Sequence, residues 1–201
     1  MMLEEALRWM EYALAFAVVQ RSVEHLNHTE KHWSWGEIAG AAALASGLAP
    51  AASAVALWAM CVAALCRFLG PYNGGADKML VLALTTLAVA RVWPAGAELA
   101  IGYLALQLIL SYAVSGWVKL CNPAWRKGEA LSDVFAFSIY PVSADLQSWA
   151  QHRRILFCAS WAVIGFEFFF PAALLHPNAL LGALALGALI HIANAYFFGL
   201  T

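Results

Sequence analysis

Charged side chains are scarce in this chain. Asp, Glu, Lys and Arg make up 11% of its 201 residues, whereas a soluble domain has about 25%. Neither sign is in excess, since the formal net charge is −1, and composition therefore gives no electrostatic reason to expect a nucleic-acid partner. Hydrophobic residues instead make up 63% of the chain. This balance predicts a polytopic membrane protein whose first partner is the lipid bilayer.

Cysteine is also rare, and the four cysteines show no metal-binding or redox spacing. Cys61 and Cys66 are five residues apart, which on a helix places them about 140° apart around the axis. One metal ion could not easily be held by both side chains. We therefore expect free thiols.

The apolar runs predict an all-α fold, a transmembrane helical bundle of about five to six spans that forms a single domain over residues 1–201. The predicted spans are 7–20, 51–69, 79–93, 98–118 and 155–175, with 179–200 as the sixth. Residues 38–49 are too few to cross a bilayer, so we interpret them as a half-helix or the lead-in to the next span. The long connection 119–154 carries aromatic residues among its charges, which predicts an ordered segment at the membrane interface.

The distribution of Lys and Arg gives an orientation if 38–49 does not cross. One side would carry Arg8, Arg67, Lys78, Lys119, Arg126, Lys127, Arg153 and Arg154, and the other Arg21, Lys31 and Arg91. The positive-inside rule then places the N-terminus in the cytoplasm, and we expect the inner membrane of a bacterium. If 38–49 does cross, every later segment inverts.

Lys119 is the residue most suggestive of function. It follows an uncharged run, Leu99 to Val118, and so lies at the edge of a predicted span. A lysine there is either an anchor that extends its ammonium to the interface or an amine that desolvation keeps neutral for proton transfer. The sequence around Lys119 leaves both interpretations open.

Two other polar groups lie within predicted spans. Glu167 is surrounded by phenylalanines, where an ionised carboxylate is costly, so we expect a neutral carboxyl that donates a hydrogen bond to another helix or serves a ligand. His191 and Asn194 are three residues apart and share one face of the last helix. A satisfied core histidine and a substrate contact are both consistent with that spacing.

Residues 70–78 form a glycine-rich connection between two spans, with Asp77 close to the start of the second. Glycines allow positive φ angles in a tight turn, and Asp77 could cap the following helix. The functional alternative is that Asn73 and Asp77 line a polar cavity. The sequence alone does not separate these alternatives.

Three histidines, His25, His28 and His32, would share one face if the first helix continued through them. That spacing can hold a divalent metal ion. A solvated interfacial loop is the alternative, because the segment is polar, and we assign no metal to it.

Several motifs together resemble one family. They are Pro-Tyr-Asn-Gly-Gly-x-Asp-Lys at 71–78, Ser-Gly-x-x-Lys-Leu-x-x-x-x-Trp-x-x-Gly at 115–128, Glu167 in an apolar helix, and a late His-x-x-Asn. This combination resembles the HTTM family, the membrane domain shared with the vitamin K-dependent gamma-glutamyl carboxylases. The resemblance is clearest over residues 67–201, and the segment centred on Lys119 is its most specific part.

The resemblance implies a cofactor and a set of roles. In the carboxylases this domain binds a reduced naphthoquinone, and a lysine deprotonates the hydroquinone to start its oxygenation. By resemblance that base is Lys119, while Gly116, Trp125, His191 and Asn194 match neighbouring motif positions. The carboxylases also carry a large soluble domain, so a partner protein that supplies such a domain is a further expectation.

We therefore expect an intramembrane pocket near Lys119, Glu167 and His191, to which Asn73 and Asp77 could contribute, for a reduced, vitamin K-like quinone or a lipid-like ligand. Oxidation or carboxylation driven by a hydroquinone is the implied chemistry. A non-catalytic membrane subunit or scaffold for a partner enzyme is the alternative. A small transporter is a further one, although it would need more polar groups near the midplane.

Overall fold

Helices account for nearly all of the described chain. The computed structural model describes residues 2–26, 31–67, 74–137 and 144–198. Its α-helices are α1 (Met2–His25), α2 (Lys31–Ser46), α3 (Pro50–Arg67), α4 (Gly74–Val92), α5 (Ala97–Cys121), α6 (Pro123–Arg126), α7 (Glu129–Phe137), α8 (Ala144–Gln147), α9 (Arg153–Phe169) and α10 (Pro177–Phe198). Short 3₁₀ turns cover Pro94–Gly96, Ser148–Gln151 and Phe170–Leu175. These residues contain no β-strand, which confirms the predicted all-α class.

Four of the described helical segments are long and apolar enough to cross a bilayer. They are Pro50–Arg67, Pro94–Cys121, Arg153–Leu175 and Pro177–Phe197. The chain is therefore an integral membrane protein, whereas the expected number of five to six spans is not confirmed. The difference lies in α1 and α4, which were predicted to span but carry several charged residues each.

The segment interpreted as a half-helix is part of a longer helix. α2 begins at Lys31, seven residues before the predicted start at 38, because its polar residues Ser34 and Glu37 form a buried helical face. It ends before Gly47, whose φ of 74° is a conformation that favours glycine. Pro50 then begins α3.

The chain forms two compact units, Met1–Ala105 and Leu106–Thr201, and their boundary falls within α5. In the first unit, buried aliphatic side chains from α1 to α4 form one hydrophobic core, with Val18, Leu44, Leu57 and Leu84 completely buried. Charged residues are buried in the same unit. Glu11 and Glu37 are 0% and 1% exposed, so this unit has to neutralise charge as well as pack aliphatic groups.

The second unit is built differently. Its small core contains Phe135 and Leu156, with Phe197 packed against them. Only 6% of the most apolar stretch of α10 is buried within the protein, and the same share is buried in the span that contains α5. Such exposed apolar helices are the surfaces that a bilayer covers. The described parts of the connection 119–154 are mostly helical, and they bury Phe135.

Candidate functional site

An ion pair between α5 and α9 is the centre of the second unit. Lys119 Nζ lies 2.6 Å from Glu167 Oε2, and it also donates to Ser115 Oγ at 2.5 Å. Ser115 is four residues before Lys119, so its hydroxyl lies on the same face of α5. The two charged side chains are 17% and 16% exposed, so a ligand can reach the pair from outside the protein.

Gly116 allows this pair to form. A Cβ atom at Gly116 would lie 2.4 Å from the backbone nitrogen of Phe168 and 2.8 Å from the carbonyl carbon of Glu167. These distances are too short for any side chain, so the backbones of α5 and α9 touch at this point. We expected Gly116 to line a ligand pocket, but the space beside it holds the α9 backbone.

Trp125 covers the ammonium from a third direction. Lys119 Nζ lies 5.1 Å from the centroid of the Trp125 ring, within the range of a cation–π interaction. The short helix α6 that carries Trp125 is capped at its N-terminus by Asn122, whose side chain accepts from the Ala124 N–H. Ser160 Oγ on α9 donates to the Trp125 carbonyl at 2.5 Å and so ties α6 to the same helix that carries Glu167.

These contacts explain the spacing of the motif at 115–128. Ser115 and Trp125 both contact the Lys119 ammonium group, and Gly116 lets α5 approach the α9 backbone beside it. The final motif residue, Gly128, adopts a φ of 76°, and a Cβ there would lie 2.8 Å from the Phe157 backbone nitrogen. The motif thus encodes two close approaches to α9 and the polar group between them.

His191 takes part in a second polar contact. Its Nε2 lies 3.0 Å from the hydroxyl of Tyr112, two helical turns before Lys119 on α5. Tyr112 also stacks on Phe170, with 4.4 Å between ring centroids. Seven residues of helix rise correspond to about 10 Å, so this contact and the ion pair occupy different depths along α5. Asn194 is half buried, one turn beyond His191 on α10.

The prediction for Glu167 is changed by its partner. We expected a neutral, hydrogen-bonded carboxyl because its neighbours in sequence are apolar. An interhelical hydrogen bond is present, but Glu167 accepts it and the donor is Lys119. The sequence could not show this pairing because the two residues are 48 positions apart.

Asp77 lies in the first unit, in the first turn of α4. It is buried, and its Oδ1 lies 2.9 Å from Arg21 Nε on α1, so it connects two helices. Asn73, its expected companion in a polar cavity, lies outside the described residues.

The condition for a three-histidine face is not met. α1 ends at His25, α2 begins at Lys31 and contains His32, and His28 lies outside the described residues. Within residues 2–26, 31–67, 74–137 and 144–198, no group of three His, Cys, Asp or Glu side chains could hold a metal ion. The shared face required a first helix that continues past Leu26, and α1 ends at His25.

Sequence analysis missed two buried charge clusters in the first unit. In one, Glu11 pairs with Arg8 and, at 2.6 Å, with Arg91. In the other, Glu37 accepts from Ser22 at 2.9 Å and from Arg21 at 3.1 Å. The sequence did contain one indication of these clusters, namely charged residues at helical spacing inside apolar segments. Such residues usually form ion pairs or have a function.

Two cavities lie away from the Lys119–Glu167 pair. An apolar one of about 280 Å³ in the first unit is lined by Val55, Trp58, Thr85, Ala88, Val89, Val92 and Trp93. A polar one of about 140 Å³ in the second unit lies beside the turn at Gly128. The Lys119–Glu167 ion pair is partly exposed, and neither residue lines either of these cavities.

Comparison of the chain with protein-family models, with curated proteins and with solved structures found no match.

Substitutions at Glu167 test the importance of the ion pair for stability. Glu167→Leu should cost about 1–3 kcal/mol, because it leaves the Lys119 ammonium without its carboxylate, whereas Glu167→Gln keeps a carbonyl acceptor and should cost less. Thermal unfolding in detergent, followed by circular dichroism, measures both variants. Equal midpoints for the two would show that the hydrogen bond to Lys119 contributes nothing.

Proposed function

We propose that this chain is an HTTM-type membrane protein that binds a reduced, quinone-like ligand at the Lys119–Glu167 pair and takes a proton from it. The observation that supports this proposal is the 2.6 Å contact between Nζ and Oε2 at a partly exposed position on two membrane-spanning helices. Ionisable side chains within a membrane are costly and usually have a function. The resemblance of residues 115–128 to the carboxylase membrane domain supplies the ligand class.

The pair can supply a neutral amine within a bilayer. At 2.6 Å the proton of the Lys119 ammonium can pass to Glu167, which leaves an amine and a carboxylic acid. This neutral arrangement avoids the desolvation cost of two separate ions. The amine can then accept the proton of a ligand hydroxyl, and the resulting ammonium stabilises the ligand oxyanion.

Aromatic groups beside the pair suit a flat ligand. Trp125 lies over the ammonium, and Trp117 on α5 stacks with Phe168 on α9, with 6.2 Å between ring centroids. Trp117 and Phe168 are each adjacent in sequence to a residue of the close contact, Gly116 or Glu167. Aromatic rings favour offset stacking with other rings, so a naphthoquinone fits this surface.

The decisive variant is Lys119→Arg. A guanidinium still pairs with Glu167, but it does not release its proton near neutral pH. We expect this variant to fold and to bind a short-chain reduced naphthoquinone, while consumption of that compound in air-saturated buffer falls about 10²–10⁴-fold, the usual contribution of a general base. Lys78→Arg, an exposed lysine on α4, is the matched control and should match the wild type.

Two measurements separate the alternatives. Mass spectrometry of organic extracts from the purified wild-type protein should detect a bound quinone, and quenching of tryptophan fluorescence should report its affinity. If Lys119→Arg consumes reduced quinone at the wild-type rate, Lys119 is an anchor and the proposed base is excluded. If the wild type neither retains nor binds a quinone, a non-catalytic membrane subunit becomes the better interpretation.

A further inference from the structure

The polar cavity of the second unit carries charges of both signs. It has a volume of about 140 Å³ and is lined by Lys127, Gly128, Glu129, Ser132, Asp133 and Arg153. Because a water molecule in the liquid occupies about 30 Å³, this cavity has room for a group of several non-hydrogen atoms. It contains neither Lys119 nor Glu167, so it is separate from the proposed quinone site.

The charged residues of this cavity, all within the described chain, form no close ion pair with one another. In the described part of the chain, no ion pair within 4.0 Å involves Lys127, Glu129, Asp133 or Arg153. Two cationic and two anionic side chains thus line one small space while remaining available to a ligand. A ligand with a negative and a positive group a few bonds apart would complement both pairs.

The position of the cavity relates it to the membrane surface. Arg153, one of its lining residues, begins the spanning segment Arg153–Leu175. The turn between α6 and α7 lies directly on α9, because a Cβ at Gly128 would be 2.8 Å from Phe157 Cα. On the other side, Ser132 Oγ donates to the Ala150 carbonyl at 2.8 Å and holds α7 against the 3₁₀ turn.

Ends of spanning helices lie near lipid headgroups, and basic residues there bind lipid phosphates. Arg126 and Arg154 are adjacent in sequence to lining residues and are exposed, but neither lines the cavity. The two carboxylates are not explained by a purely anionic ligand, since they would repel it. They require a cationic group on the same molecule.

We propose that this cavity binds the phosphoethanolamine headgroup of a membrane phospholipid. Lys127 and Arg153 bind the phosphate, and Glu129 and Asp133 accept hydrogen bonds from the primary ammonium. A choline headgroup keeps the charge but has no N–H to donate, and a glycerol headgroup has no positive charge. The site therefore distinguishes lipids by the chemistry of the headgroup beyond the phosphate.

The test is lipid-dependent thermal stability of the delipidated full chain in detergent. Added phosphatidylethanolamine should raise the unfolding midpoint more than phosphatidylcholine or phosphatidylglycerol with the same acyl chains, because a ligand that binds the folded state stabilises it. Arg153→Gln and Asp133→Asn should each weaken the apparent affinity about tenfold or more, through loss of a charge-assisted contact. Arg154→Gln, adjacent but outside the cavity lining, is the control and should keep the wild-type response.

Soluble glycerophosphoethanolamine separates recognition of the headgroup from recognition of the acyl chains. Stabilisation by this compound that is lost in Asp133→Asn would support the proposal directly. A response to phosphatidylglycerol as large as that to phosphatidylethanolamine would overturn it, as would equal loss in Arg153→Gln and Arg154→Gln. Circular dichroism of each variant without lipid establishes that it is folded, and Asp133→Asn serves as the test if Arg153→Gln is not.

Discussion

Replacing Glu11 by leucine should destabilise the protein by about 3–5 kcal/mol, the usual cost of removing one partner from a buried ion pair. Glu11 is completely buried on α1, and its carboxylate lies between two guanidinium groups. One of these belongs to Arg91, whose side chain is only 8% exposed. Without Glu11 this buried cation would keep a single described carboxylate partner, the exposed Glu4.

The matched control is Glu5→Leu, the same substitution at an exposed position one and a half turns earlier on α1. Its unfolding midpoint in detergent should stay close to that of the wild type. The double variant Glu11→Leu with Arg91→Leu should recover part of the lost stability, because it removes the uncompensated charge together with its partner. Glu11→Leu melting at the same temperature as Glu5→Leu would mean that the buried pair does not stabilise the first unit.

The second large effect is expected at Gly116. Alanine there would place a Cβ 2.4 Å from the Phe168 nitrogen, so α5 and α9 must move apart at the position where Lys119 meets Glu167. We expect a cost of about 1–3 kcal/mol, typical of an overpacked contact, together with loss of the quinone binding that we propose for this site. Backbone atoms cannot rotate away as a flexible side chain can, so little relief is available.

Gly102 provides the comparison, because it lies on the same helix and a Cβ there would meet nothing within 4 Å. Gly102→Ala should leave stability unchanged or raise it by up to about 1 kcal/mol through better helix propensity. The same chemical change on one helix thus has opposite expected signs. If both alanine variants were equally stable and both bound quinone, the close contact between α5 and α9 would not be required for the site.

The sequence predicted the membrane class and the approximate position of most helices because apolar runs determine both. The predictions that are not confirmed concern charged segments. Residues 7–20 and 79–93, in α1 and α4, were predicted as short spans, and they contain Glu11 and Arg91, which pair with each other. Likewise, Arg21 and Arg91 were counted as positive charges of one membrane face, but both are largely buried and ion-paired within helices. Buried arginines of this kind give no information on orientation.

The candidate site was predictable residue by residue but not as an arrangement. Lys119, Glu167 and His191 could each be selected because a polar group in an apolar helix is costly. Their partners could not be predicted because they are distant in sequence. Lys119 contacts Glu167, and His191 contacts Tyr112, which lies on a different turn of α5. Tyr112 was not predicted as a site residue because a tyrosine is common in a membrane span. The close contact of Gly116 with the α9 backbone could not be predicted from α5 alone.

The four thiols of this chain differ in how they would react with an alkylating reagent. Cys61 is completely buried beside Arg21 and Glu37, whereas Cys66, Cys121 and Cys158 are exposed. A reagent can reach Cys61 only when the helices around it separate, so its labelling rate is set by the opening equilibrium of the first unit. With the other three cysteines replaced, Cys61 becomes a native reporter of how often the charged interior of that unit admits small molecules.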